Sequence, residues 1–138
     1  MDPLYTASVM VTGGREGKLT SSDGVLNLDL VMPKELGGAG GAATNPEQLF
    51  AAGYAACFES ALNLACRQKK VKFDGTSVTA HVTIGKDETG GFELAVALDV
   101  TLKGVDAGLA KELTEDAHQI CPYSKATKGN IDVAIRVV

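Results

Sequence analysis

Three cysteines, Cys57, Cys66 and Cys121, are the residues of this chain best suited to chemistry. A thiolate attacks disulfides and peroxides and binds soft metals. An odd number of cysteines does not describe a framework of structural disulfides. It points to catalysis, metal binding or buried thiols. Spacing narrows the pairings. Cys57 and Cys66 lie nine residues apart on one predicted helix. At about 100° and 1.5 Å per residue they face opposite sides, about 13 Å apart along the axis. A disulfide needs Cα atoms within about 7 Å, so these two cannot pair unless the helix melts. Cys121 is the only partner left for either. It stands where a predicted helix stops, directly before Pro122, and such a junction can open to let a sulfur move. A small buried hydrophobe is the ordinary fate of an intracellular cysteine, and Cys66 is assigned to it.

Other reactive side chains have plain readings when taken alone. Arg15 sits in the turn Gly13-Gly14-Arg15-Glu16-Gly17, where an arginine is usually solvated. Glu47 falls in the first turn of a predicted helix, where a carboxylate complements the dipole. His81 lies on the polar face of a strand and is expected in solvent. His118 comes three residues before Cys121 and could influence it, but a helix-end histidine commonly caps or faces water.

The elements that must position these residues can be read from pattern. Residues 4–12 (LYTASVMVT) predict a strand, followed by the Gly13-Gly14 turn and a short strand over about 15–20. Residues 25–32 alternate Leu26, Leu28 and Leu30 with Asn27 and Asp29, a half-buried strand. Pro33 ends it, and 37–43 (GGAGGAA) form a flexible loop. Asn45-Pro46-Glu47-Gln48 then starts a helix: Asn caps, Pro takes the first position, and Gln lies three residues after the cap. The helix should run to about Lys70. From Leu49 to Phe58 it is apolar nearly all round, which predicts a central, buried helix. Strands follow over 77–84 and 92–102, joined by a turn at 85–91. A helix covers 106–120, and a last strand alternates Ile131, Val133, Ile135 and Val137. The order β-β-β-α-β-β-α-β, with hairpins in place of repeated βαβ units, predicts an α+β fold with mostly antiparallel sheet.

Composition sets the outer bounds. With 138 residues, 45% hydrophobic and 22% charged, the expectation is one domain over 1–138 with one aliphatic core. The net charge of −4 argues against nucleic acid or an anionic membrane as partner, since both need basic patches. The densest basic cluster, Arg67, Lys69, Lys70 and Lys72, falls at a helix end, where it complements the dipole. No run of 18 apolar residues spans a membrane. MDPLYTASVM lacks the basic start and apolar core of a secretory signal, so the expected compartment is the cytoplasm.

NPEQLFAAGYAACF (45–58) closely resembles the active-site helix of the organic hydroperoxide resistance proteins, in the osmotically inducible protein C superfamily. CPYSKATKGN (121–130) resembles the second cysteine motif of that family, and the turn at 13–17 matches its N-terminal arginine. The three motifs occur in the family's order across essentially the whole chain; Lys125 and Lys128 are departures beside the second cysteine. The resemblance implies Cys57 as peroxidatic cysteine, Cys121 as its disulfide partner, and Arg15 and Glu47 as the activating pair. It implies no bound cofactor and no metal. Organic hydroperoxides are the implied substrate, and a dithiol, preferably a protein-bound lipoyl group, the implied electron donor. The roles make physical sense. An ordinary thiol of pKa about 8.5 is mostly protonated at neutral pH, and a nearby guanidinium lowers it. A glutamate can grip that guanidinium with two hydrogen bonds. Phe50 and Leu64 would suit an alkyl or fatty-acid chain. The resemblance also implies a homodimer. Glu47 and Cys57 are ten residues apart on one helix, about 15 Å of rise. An intertwined two-fold dimer would therefore bring Arg15 and Glu47 of one chain to Cys57 and Cys121 of the other.

Three other readings compete. Residues 38–43 (GAGGAA) satisfy the glycine pattern of a dinucleotide site, but the preceding strand belongs to a hairpin series and no second βαβ unit follows. Cys57, Cys121, His118 and Glu47 are candidate metal ligands without CxxC or HxxxH spacing. The third is another branch of the same superfamily, with a different peroxide preference or a binding role.

Overall fold

Strands form where apolar and polar residues alternate longest. In the computed structural model, which describes residues 1–138, β4 (Gly75–Lys86) and β5 (Phe92–Lys103) pair antiparallel along their full length. Val78 lies opposite Val100, Ala80 opposite Leu98 and Val82 opposite Val96. Period two puts these six side chains on one face, and Val96, Leu98 and Val100 are buried. The turn expected at 85–91 tightens to Asp87–Gly91, where Asp87 Oδ1 accepts from the backbone N–H groups of Thr89 and Gly91 at 2.8 and 2.9 Å. β6 (Val133–Val137) joins β5 in parallel, with Leu98 opposite Ile135.

The crossover from β5 to β6 carries α2 (Ala107–Ile120) and α3 (Pro122–Thr127). Asp106 caps α2 by accepting from the Leu109 N–H at 3.0 Å. α3 was not expected as a helix. Proline disfavours helical backbone in the residue before it and suits the first position of a helix. Pro122 therefore breaks the chain at Cys121 and starts α3 in the same step. Cys121, with φ −63° and ψ 119°, is both the end of α2 and the cap of α3.

α1 (Pro46–Gln68) is 23 residues long and starts as read: Asn45 Oδ1 accepts from the Gln48 N–H at 2.8 Å. It stops slightly before Lys70, whose φ turns to 54°. The N–H groups of Lys70 and Val71 fold back onto the carbonyls of Arg67 and Cys66, the Schellman way of closing a helix. Lys69 reaches Glu112 and Asp116 of α2 at 2.5 and 2.8 Å. One side of α1 buries Tyr54, Phe58, Ala61, Leu62, Ala65 and Cys66. Ala52, Ala56 and Ser60 on the other side are exposed, so a single chain covers only part of the all-round apolar stretch. By length and composition alone α1 could cross a membrane, yet its Tyr54–Cys66 side packs into the protein core with β5 and α2.

The chain gathers into two compact units, Met1–Leu49 and Phe50–Val138. The second holds the core just described. In the first, β1 (Val9–Thr12), β2 (Lys18–Ser21) and β3 (Asn27–Asp29) form an antiparallel meander. The strand expected over 4–12 shrinks to four residues, and that over 25–32 to three. β2 is only four residues long and offers nothing for Leu4 or Tyr5 to pair with. Only Leu19 and Leu30 are buried in this unit; Leu26 and Leu28 stay about 40% and 41% exposed.

Candidate active site

Two pairs of the predicted residues are brought together, one in each unit. Arg15 is presented by a 3-10 turn, Gly14–Glu16, between β1 and β2. Gly13 and Gly14 take φ of 77° and 57° there, a conformation that glycine adopts without steric cost. Arg15 Nη1 and Nη2 donate to Glu47 Oε2 and Oε1 at 2.8 and 2.6 Å. This two-pronged grip fixes the plane of the guanidinium as well as its position. The hydrogen bond from Arg15 holds the Glu47 carboxyl below the usual carboxylate range, against the opposing effect of partial burial.

That shift ties stability to pH. A carboxyl whose pKa is depressed on folding contributes stability that is complete above its unfolded value, about 4.3, and lost as pH falls through the folded value. Wild-type protein is therefore expected to melt several degrees above Glu47→Gln at neutral pH. The gap should close as the pH drops below about 4. Thermal melts across that range test it, and a gap that stays constant with pH would assign the stabilisation to something other than this pair.

The second pair is Cys57 and Cys121. Cys57 lies on α1, partly buried against the core, and Cys121 is fully buried at the break between α2 and α3. The two thiols are immediate neighbours. Burial pushes the Cys57 thiol up, the backbone N–H of Tyr123 draws it down, and Cys121 raises it again by hydrogen bond and by charge. Cys66 is packed in the core with its thiol also pushed up by burial, in keeping with a packing role.

An aromatic group joins the first half of α1 to the start of α3. Phe50, Tyr54 and Tyr123 meet with ring centroids 5.7–6.4 Å apart. Gly53 makes this possible, since a Cβ there would come within 2.8 Å of the Tyr123 hydroxyl. The signal was present: glycine inside an apolar helical run costs about 1 kcal/mol relative to alanine and marks a close approach. Phe50 belongs to this group; Leu64 lies as far beyond Cys57 on α1 as Phe50 lies before it. Tyr54 and Ser124, hydrogen-bonded to each other at 2.9 Å, were missed because seventy residues separate them. His118 was expected to cap or face water; it is half-buried and bonds Ser124 at 2.8 Å. His81 is exposed, paired with Asp99 at 2.9 Å.

The competing patterns have structural explanations. The glycines of 38–43 let the loop fold onto residue 32: the Gly40 N–H bonds the Met32 carbonyl at 3.1 Å, and a Cβ on Gly38 would strike Met32. No three His, Cys, Asp or Glu side chains converge as a metal-ligand group.

Known proteins match this chain along its length. The family described as OsmC-like protein matches residues 38–136. Organic hydroperoxide resistance protein OhrA of Bacillus subtilis is 55% identical, covering 98% of this chain and 96% of its own. An organic hydroperoxide resistance protein of Elizabethkingia anophelis has a solved structure with a TM-score of 0.95 and 52% identity, covering 99% of this chain and 98% of that one. OhrB of Bacillus subtilis superposes with a TM-score of 0.91 at 48% identity, over 99% and 100% of the two chains. With a family match across both cysteine motifs and near-complete alignment at about half identity, this chain belongs to the OsmC-like family, among its organic hydroperoxide resistance proteins.

Proposed function

We propose that this protein is a cytoplasmic thiol peroxidase that reduces organic hydroperoxides to alcohols, with Cys57 attacking and Cys121 closing the disulfide. The observation that carries the reading is the contact between these two thiols on separate elements, one partly exposed and one buried. The Cys57 thiolate attacks one peroxide oxygen, the O–O bond breaks, and the alkoxide takes up a proton and leaves as alcohol. Cys57 is left as a sulfenic acid. The Cys121 sulfur then attacks it; the S–S bond forms, the S–O bond breaks, and the hydroxyl leaves as water with the Cys121 proton. A dithiol, by preference a lipoyl group, reduces the disulfide by exchange. No bound cofactor takes part.

Thiolate chemistry needs a low pKa, and burial together with Cys121 holds Cys57 high. A cation must offset this. We assign that part to Arg15, held by Glu47 and donated from a second copy of the chain in a homodimer. Val9, Val11 and Leu28 share one face of the first unit's small sheet and stand 41–52% exposed in the single chain. A patch of large apolar side chains on so small a sheet marks an interaction surface.

The function is tested by rates on two peroxides with dihydrolipoamide as reductant. tert-Butyl hydroperoxide is expected to turn over at least about tenfold faster than hydrogen peroxide, the discrimination that a few apolar contacts supply. Equal rates, or faster hydrogen peroxide reduction, would place the chain in a branch with another preference. No turnover of either would end the reading.

A further inference from the structure

A chain of hydrogen bonds runs through the α2–α3 junction, and the reaction above uses none of it. His118 Nδ1 lies 2.8 Å from Ser124 Oγ, which lies 2.9 Å from the Tyr54 hydroxyl, which lies 3.3 Å from Thr127 Oγ1. Thr127 Oγ1 in turn donates to the carbonyls of Tyr123 and Ser124, both at 3.1 Å. Tyr54, Ser124 and Thr127 are buried.

Counting protons fixes the direction of the chain. A hydroxyl has one proton, and a carbonyl can only accept. The Thr127 proton goes to a carbonyl, so Tyr54 donates to Thr127, Ser124 donates to Tyr54, and His118 Nδ1–H donates to Ser124. Only this polarity makes every contact. It requires the proton on Nδ1, with no acceptor role for that nitrogen.

The placement says what the chain holds. His118 is in the last turn of α2, and Ser124 is in the first turn of α3. Their bond spans the Pro122 break with Cys121 in the middle. Tyr54 is one helical turn before Cys57 on α1, so the same chain fastens this turn to the helix that carries Cys57.

We propose that His118 is a positioning residue for Cys121: its Nδ1–H to Ser124 holds the break closed, so that the Cys121 sulfur meets the oxidised Cys57. The inference rests on the thiol peroxidase reading above. It predicts that disulfide closure depends on His118 while the first attack on peroxide does not. Loosening the break lowers the effective concentration of one sulfur at the other. One lost hydrogen bond of ordinary worth corresponds to about a fivefold loss of rate.

The test separates the two steps. Reduced protein is mixed with one equivalent of tert-butyl hydroperoxide without reductant. Cys57 sulfenic acid is trapped with a 1,3-diketone, the Cys57–Cys121 link is counted by mass spectrometry, and melting confirms that each variant is folded. His118→Leu and His118→Gln are expected to form sulfenic acid at the wild-type rate and to close the disulfide about fivefold more slowly. His118→Asn places an amide N–H where Nδ1–H stood and should restore closure. Ser124→Ala, a smaller change, should slow closure as His118→Leu does. Closure at the wild-type rate in His118→Leu and Ser124→Ala, or Asn no better than Gln, would overturn the positioning role alone. A wild-type protein that forms no 57–121 link would overturn both this inference and the reading it rests on.

Discussion

Cys57→Ser is expected to bring peroxide turnover down to the uncatalysed background, the largest single effect in this protein. A serine hydroxyl at that site has no base beside it and is not ionised at neutral pH, so the attack on the O–O bond loses its nucleophile. Cys121→Ser should behave differently. Its Cys57 still reacts once, consuming one equivalent of peroxide per chain, and then stalls at the sulfenic acid or oxidises further. Cys66→Ser should keep near-wild-type turnover and lose stability instead. It places a hydroxyl in a fully buried apolar position, at a cost of about 1–3 kcal/mol. Turnover assays and melts of the three variants check these effects, and peptide mapping of wild-type protein after one equivalent of peroxide checks the pairing. A dominant link through Cys66 would overturn the assignment of Cys57 and Cys121.

Arg15→Ala is expected to slow the reaction at neutral pH by about tenfold to a thousandfold, because an opposite charge at short range shifts a thiol by one to three units. Within one chain, Cys57 is held up by burial and by Cys121, so losing the proposed cation leaves nothing to offset them but the Tyr123 N–H. The same variant reports where the cation comes from. If Arg15 and Glu47 act across a two-fold dimer, co-refolding Cys57→Ser chains with Arg15→Ala chains creates one intact site in every mixed dimer. Random pairing makes half the dimers mixed, each with one working site of two, so about a quarter of wild-type activity should return. A site contained in one chain would give no gain over the parent variants, even with mixed dimers verified by mass. The wild-type pH profile of Cys57 alkylation, compared with that of Arg15→Ala, reads the same shift directly; identical profiles would remove Arg15 from activation.

Much of this protein was legible in local sequence, because the signals involved act over a few residues. Asn45 and Pro46 placed the start of α1 through the chemistry of caps, and the alternation around Val78 and Val100 placed the long hairpin. The nine-residue spacing of Cys57 and Cys66 on one helix by itself excludes their disulfide. What failed locally failed for want of partners: residues 4–8 have strand pattern, but β2 is too short to pair with them. The pairing of Arg15 with Glu47 across 32 residues followed from the family resemblance and from no local pattern, and only tertiary structure could join His118 and Tyr54 to Ser124 across 6 and 70. Such contacts depend on strand register and helix packing, which no short window of sequence contains. Only packing could set the direction of the Cys57 thiol, because burial, the Tyr123 N–H and Cys121 reach that sulfur through space. Gly53 stands between the two cases. The sequence marks it as a weak point in a helix, and the ring of Tyr123 lying against it supplies the reason.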